Sequence, residues 1–243
     1  MPGLDTGLTV LAVAGALVGV AQGDSGIATP IPDACKANVA VESAQADRRP
    51  KLLMIHGGGF VLSDDAEIGR ACSLATEAGF DVSYVDYPLG NLPAAVAATE
   101  QAARREARSG LPVYAYGESA GGTLAALLAR KRLVDAAATY SQLTDLVAYY
   151  SRTPNPALFK RVISASRDDL KAASPGFREH GGPVLALLPS ADDPNLNEDT
   201  LEWQRRATNV ESTIVDGEHI GGGDVETYEE NVSRALVWLG AAG

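Results

Sequence analysis

A serine stands between glycines in the stretch YGESAGGT, residues 116–123. The stretch follows an apolar run and precedes a helical pattern, so we expect Ser119 on a sharp turn from strand to helix. Gly117 and Gly121 leave room at that turn where side chains would clash, and the turn presents a hydroxyl for nucleophilic attack. The motif is a weak signal by itself, because a serine before a helix is also an ordinary helix cap.

A second glycine motif, HGGG at residues 56–59, follows another apolar run. Successive glycines permit a backbone that turns several N–H groups into one cavity. Such donors stabilise the oxygen that becomes negative when a serine attacks a carbonyl group. We therefore expect the amides of Gly58, Gly59 and Ala120 to form an oxyanion hole beside Ser119.

A serine hydroxyl needs a base, and the sequence contains three histidines. His56 belongs to the HGGG motif. His180 lies before the amino end of a predicted strand, whereas the catalytic residues of parallel sheets lie at the carboxyl ends of the strands. His219 follows the last predicted strand in the glycine-rich stretch VDGEHIGGG. His219 is thus the predicted base, and a histidine on a surface loop is the alternative.

The imidazole also needs an acid to orient it. Asp192 and Asp193 follow the apolar run PVLALL, at the carboxyl end of a predicted strand. We favour Asp193, which stands next to Pro194, and keep Asp192 as the alternative. The spacing of the surrounding run DDPNLNED fits no calcium loop, which favours a solvated turn.

Strands and helices must position these residues. From residue 50 onward, short apolar runs alternate with amphipathic stretches, which indicates strands that alternate with helices. This alternation predicts an α/β fold, with a mostly parallel central sheet flanked by helices. The predicted strands are KLLMI, DVSYVD, LPVYAY, DAAATYS, PVLALL and ESTIVD. We expect a single domain over residues 24–243, with a lid-like insertion at about 142–182 made of short helical pieces.

The sequence resembles the α/β hydrolases, and among them the hormone-sensitive-lipase-like carboxylesterases and lipases. The resemblance lies in HGGGF, GESAGG, DDP, GEH and DYPLGNLPAAV, and it covers about residues 51–240. It implies a carboxylic ester hydrolase with Ser119 as nucleophile, His219 as general base and acid, and Asp193 as the residue that orients it. The chain order serine, aspartate, histidine is that of this fold. By the same resemblance, His56 anchors the glycine loop.

The chain departs from this family in ways that affect the substrate pocket. The usual YRLAP reads YPLGN here, and only 74 residues separate Ser119 from Asp193, which indicates a reduced cap. An open pocket favours short-chain or exposed esters. The candidate substrate contacts are Phe60, Glu118, Tyr149 and Tyr150.

Two other functions are compatible with the same motifs. An amidase, a formamidase or a peptidase would use the same triad, because acyl transfer to water does not fix the leaving group. A binding protein that keeps a hydrolase fold without catalysis is the second alternative. No cofactor or metal is expected, and the predicted partner is a small-molecule ester bound by a monomer or dimer.

Composition limits the remaining possibilities. The net charge of −11 argues against a nucleic-acid ligand, which requires a basic face. Residues 8–21 form an apolar stretch that suits a signal peptide over about residues 1–23 and is short for a membrane span, although no Lys or Arg precedes it. We expect a secreted or extracytoplasmic protein, and in such a protein Cys35 and Cys72 could form one disulfide. A buried N-terminal element in a cytoplasmic protein with two free thiols is the alternative.

Overall fold

The computed structural model describes residues 33–36, 48–63, 65–153, 155–219 and 224–242. The signal peptide predicted for residues 1–23 lies outside these residues. The six strands are β1 (Lys51–Ile55), β2 (Asp81–Val85), β3 (Val113–Glu118), β4 (Ala136–Tyr140), β5 (Val184–Pro189) and β6 (Val210–Val215). All six were predicted from the sequence, within two residues at each end.

The strands form one sheet in the order β2-β1-β3-β4-β5-β6, and every neighbouring pair is parallel. The carboxyl ends of β1, β3, β5 and β6 therefore lie at the same edge of the sheet. The two glycine motifs, the Asp192–Asp193 pair and His219 follow these four strands in turn. The predicted parallel α/β architecture is confirmed, and it gathers the candidate residues at one edge.

Helices cover both faces of the sheet. They are α1 (Asp33–Lys36), α2 (Asp65–Glu77), α3 (Leu92–Glu106), α4 (Ala120–Arg130), α5 (Leu146–Arg152), α6 (Pro156–Val162), α7 (Arg167–Ala173), α8 (Pro194–Arg206) and α9 (Val225–Ala241). One buried apolar cluster includes Leu124 of α4 and Trp203 of α8, and the other includes Ile68 of α2 and Leu236 of α9. The sheet is therefore buried between two apolar layers.

Helix α8 corrects the interpretation of DDPNLNED as a solvated turn. Asp193 is its N-cap and Pro194 its first residue, a combination that starts helices because proline needs no hydrogen-bond acceptor there. Trp203 of this helix is fully buried. Most of the acidic run thus forms the first turns of a helix that packs on the core.

The segment between β4 and β5 contains three helices of seven residues each, α5, α6 and α7, and a 3₁₀ turn at Pro175–Phe177. Arg152 at the end of α5 forms an ion pair with Asp199 of α8, 2.5 Å away. Leu146 and Tyr150 of α5 are buried. The insertion therefore packs on the sheet domain through α5.

Cys35 and Cys72 form a disulfide that joins α1 to α2, with 5.2 Å between their Cα atoms. Of the two alternatives that the sequence leaves open, a disulfide or two free thiols, the structure contains the disulfide. None of the helices in the described ranges is long and apolar enough to span a membrane.

Candidate active site

Ser119 occupies the turn between β3 and α4 in a strained conformation, with φ 50° and ψ −117°. A Cβ atom on Gly117 would lie 2.3 Å from Gly121 O, and one on Gly121 would lie 2.1 Å from Ile55 O. These contacts explain why the turn requires both glycines. The Ser119 side chain makes no capping hydrogen bond, so the alternative of an ordinary helix cap does not hold.

His219 lies between Ser119 and Asp192. Its Nε2 atom is 3.1 Å from Ser119 Oγ, and its Nδ1 atom is 2.8 Å from Asp192 Oδ1. A carboxylate only accepts hydrogen bonds, so Nδ1 carries the proton and Nε2 is left to accept one from the serine hydroxyl. The three side chains form a continuous hydrogen-bonded chain from Ser119 through His219 to Asp192.

The expected partner of His219 was Asp193, and the structure places Asp192 there instead. The Asp192 side chain is only 2% exposed and points to the imidazole, whereas Asp193 is exposed. Asp193 Oδ1 accepts hydrogen bonds from Asn195 N at 2.9 Å and from Asn195 Nδ2 at 2.8 Å. Asp193 is occupied as the N-cap of α8, because Pro194 fixes the start of that helix one residue later.

The glycine loop after β1 folds tightly beside this chain. Gly58 has φ 98° and Gly59 has φ 63°, which is the left-handed region that favours glycine. A Cβ on Gly58 would lie 2.2 Å from Leu62 O, and Gly58 O accepts hydrogen bonds from Val61 N and Leu62 N. Ala120 is the first residue of α4, where backbone N–H groups have no acceptor within the helix. The backbone of this loop thus depends on glycine at positions 58 and 59, and the third residue of the predicted oxyanion hole, Ala120, lies at the start of α4.

His56 is fully buried and holds the glycine loop. Its ring stacks on Tyr87, with 4.1 Å between the ring centroids and 7° between the planes. The Tyr87 hydroxyl donates to the carbonyl groups of His56 and Gly57. His180, in contrast, is exposed and its Nδ1 atom lies 3.5 Å from Thr208 Oγ1. His219 is thus the histidine that contacts Ser119.

Comparison with known proteins identifies the family of the fold. A model of the alpha/beta hydrolase fold family matches residues 52–174, half of the chain. The chain belongs to the alpha/beta hydrolase fold family. No curated protein sequence matches this hydrolase significantly.

Solved structures similar to this α/β hydrolase include three esterases. Thermogutta terrifontis esterase 2, in a form phosphonylated by sarin, has a TM-score of 0.69 and 20% identity over 84% of this chain and 87% of its own. A Pyrobaculum calidifontis esterase has a TM-score of 0.65 and 25% identity over 80% and 76%. EstE1, a thermostable carboxylesterase from a metagenomic library, has a TM-score of 0.65 and 19% identity over 80% of each chain. The resemblance to hormone-sensitive-lipase-like esterases is confirmed.

Three of the four expected substrate contacts of this hydrolase are buried in its core. Phe60 is 0% exposed, and Tyr150 packs in the same apolar cluster. Glu118 is also 0% exposed, and its Oε1 atom accepts hydrogen bonds from the hydroxyl groups of Tyr116 and Tyr228. Those three predictions are wrong because tertiary packing covers the side chains.

Tyr149 remains the candidate contact among the four. It is half-buried on α5. Burial raises the pKa of its hydroxyl, and the negative charges of Asp193 and Asp192 raise that pKa further. Tyr149 on α5 is thus near enough to Asp192 and Asp193 for their charges to affect its hydroxyl. Within the residues that the structure describes, no group of three or more His, Cys, Asp or Glu side chains is arranged to hold a metal ion.

Proposed function

We propose that this α/β hydrolase is a serine esterase that cleaves carboxylic esters through an acyl-enzyme on Ser119. The observation that carries the proposal is the chain from Ser119 Oγ through His219 to Asp192, with distances of 3.1 Å and 2.8 Å. The esterase names of the similar structures support ester substrates.

Acylation begins when Ser119 Oγ attacks the ester carbonyl carbon and His219 Nε2 takes the hydroxyl proton. The carbonyl oxygen becomes negative and accepts hydrogen bonds from the amides of Gly58, Gly59 and Ala120. Each such donor is worth about 2.7–4 kcal/mol of transition-state stabilisation. The tetrahedral intermediate then breaks its C–O bond, and His219 gives its proton to the departing alcohol.

Deacylation repeats these steps with water as the nucleophile. His219 takes a proton from water, and the hydroxide adds to the acyl carbon of the ester on Ser119. When the intermediate collapses, Ser119 recovers its proton from His219 and the acid product leaves. In both halves Asp192 keeps the imidazole in the productive tautomer and stabilises the imidazolium.

The test is hydrolysis of p-nitrophenyl butyrate by the wild type, by Ser119→Ala and by a control variant, Ser73→Ala. Ser73 is a half-buried serine on α2 whose hydroxyl donates to Gly69 O of its own helix, so its loss leaves the site intact. We expect turnover in the wild type and the control only. A fluorophosphonate should label both of these proteins and not Ser119→Ala. Equal turnover in all three proteins would refute the proposal.

We further propose that short-chain or exposed esters are the preferred substrates. The insertion between β4 and β5 contains only three short helices, and the His219 side chain is 31% exposed although it contacts Ser119. An open site gives little apolar contact to the far end of a long acyl chain. Rates on p-nitrophenyl esters from C2 to C16 should be highest at C2 to C4. A clear preference for C12 to C16 would contradict this expectation.

The disulfide supports a location in an oxidising compartment, since structural disulfides persist outside the reducing cytosol. We propose that the protein acts outside the cytoplasm. Thiol titration of the denatured protein, taken from its native source without reductant, should find no free thiol from Cys35 and Cys72. Two titratable thiols would indicate a cytoplasmic protein.

A further inference from the structure

His219 depends on its backbone for alignment, because its ring must reach Ser119 with one nitrogen and Asp192 with the other. His219 lies in the loop after β6, four residues past the end of that strand, so no helix or strand carries it. Catalytic groups must be held to within about 0.5 Å of their productive position, and a shift of about 1 Å reduces rates by roughly 10²-fold. Other parts of the fold must therefore fix the residues before His219.

Three successive carbonyl groups immediately before His219 accept hydrogen bonds from three different elements. Asp216 O accepts from Asn231 Nδ2 at 2.8 Å, and Gly217 O accepts from Ala191 N at 3.0 Å. Glu218 O accepts from the Tyr140 hydroxyl at 3.0 Å. The donors come from α9, from the loop that carries Asp192 and from β4. The backbone is thus fixed at every residue from 216 to 218.

Gly217 shows how closely the loop approaches Tyr140. Its φ is +133°, and a Cβ atom there would lie 2.8 Å from the Tyr140 hydroxyl oxygen and 3.8 Å from Asn231 Nδ2. A side chain at position 217 would push the loop away from both donors. Gly217 therefore allows the loop to approach the Tyr140 hydroxyl and the Asn231 amide closely.

Tyr140 is held rigidly from the other side. It is 3% exposed, and its ring makes an edge contact with Tyr228, with 6.1 Å between centroids. Burial raises the pKa of Tyr140 to about 12, and Glu118 and Asp192 raise it too, so the hydroxyl keeps its proton and remains a donor at neutral pH. Asn231 is also buried, at 5% exposure.

We infer that Tyr140 and Asn231 are positioning residues for the proposed esterase, which fix the His219 backbone by donating to the carbonyls of Glu218 and Asp216. The inference rests on the proposed function, since it concerns the base of that reaction. Neither side chain contacts the reacting atoms. Their loss should therefore lower the rate of the chemical step and leave substrate binding unchanged.

The experiment compares wild type, Tyr140→Phe, Asn231→Leu and the control Tyr114→Phe in p-nitrophenyl butyrate hydrolysis. Tyr114 is a buried tyrosine of β3 in the same apolar cluster as Tyr140, and it packs edge-on against Phe80. Rates are expressed per active site, titrated to completion with a fluorophosphonate, and the folded fraction is measured by circular dichroism at the assay temperature.

We expect kcat to fall about 10-fold in Tyr140→Phe and in Asn231→Leu, with KM within two-fold of the wild type. Tyr114→Phe should keep the wild-type kcat. Values of kcat within two-fold of the wild type in Tyr140→Phe would overturn the inference, and so would a fall that only follows the folded fraction. If Tyr140→Phe does not fold, Asn231→Leu alone decides by the same criteria. Absence of turnover in the wild type would instead overturn the proposed function and the inference with it.

Discussion

The two adjacent aspartates after β5 allow a sharp test, because the structure gives them different roles. Asp192 Oδ1 lies 2.8 Å from His219 Nδ1, and Asp193 caps α8. We predict that Asp192→Asn loses nearly all esterase activity, whereas Asp193→Asn retains it. Asparagine and aspartate are equally good N-caps, so Asp193→Asn also keeps the helix start intact.

The size of the effect follows from the geometry. When Ser119 attacks, His219 becomes an imidazolium next to the Asp192 carboxylate, whose side chain is 2% exposed. The distance between the two charge centres is about 4 Å. At an effective dielectric constant of about 20, that pair is worth about 4 kcal/mol. The asparagine side chain of Asp192→Asn carries no charge and removes this attraction. If its NH₂ group faces the ring, His219 Nδ1 becomes the acceptor of that hydrogen bond. The ring proton then lies on Nε2, which can no longer act as a base. We therefore expect kcat to fall at least about 10³-fold, at 1.36 kcal/mol per factor of ten.

The assay is kcat and KM for p-nitrophenyl butyrate at pH 7 to 8, with thermal melting of each variant. Asp193→Asn should stay within three-fold of the wild-type kcat and within about 0.5 kcal/mol of its stability. The opposite pattern, with Asp193→Asn inactive and Asp192→Asn active, would refute the assignment. A loss of less than ten-fold in Asp192→Asn would show that the carboxylate is not needed to orient His219.

Three other predictions concern stability. Replacing Cys35 and Cys72 by serine removes a cross-link between residues 37 positions apart. This should lower the free energy of unfolding by about 4 kcal/mol and the Tm in calorimetry by about 10 °C. A Tm shift under 2 °C would contradict this prediction. In Gly121→Ala the new Cβ atom would lie 2.1 Å from Ile55 O. This clash should lower the free energy of urea unfolding by about 2 kcal/mol or more and also lower kcat. Wild-type values of the unfolding free energy and of kcat would count against the turn described. Because the pKa of Tyr140 is raised to about 12, the folded state binds its proton when the unfolded chain has lost it, so stability should decline from about pH 10 to pH 12. Tyr140→Phe should make that decline shallower in urea unfolding at several pH values, and an equal slope in both proteins would contradict the attribution.

The sequence predicts the sheet and the ends of its strands because buried parallel strands appear as short apolar runs separated by amphipathic stretches. It also predicts Ser119 and His219, since each combines a reactive side chain with a glycine context at the carboxyl end of a strand. Asp192 and Asp193 are chemically identical and adjacent, so spacing alone does not separate them. The signal that separates them is Pro194, because an aspartate directly before a proline that starts a helix is an N-cap.

Other features could not be read from the sequence for a physical reason. Phe60 and Tyr150 flank plausible pocket positions, but an aromatic residue fills a core as readily as a pocket, and only the packing decides between them. Tyr140 and Asn231 donate to backbone carbonyls, and every residue type supplies the same carbonyl group. The contact between Tyr140 and Glu218 also joins residues 78 positions apart. No local pattern marks such a pair.

The order of the site residues along the chain has a consequence for synthesis. Ser119 leaves the ribosome a hundred residues before His219, and α9, which supplies Asn231 to the His219 loop, follows later still. At about 5–20 residues per second, the nucleophile waits roughly 5–20 s for its base. Throughout that interval the nascent chain presents a serine with no imidazole to activate it. A newly made chain of this kind therefore gains its hydrolytic activity only when its last strand and helix have joined the sheet.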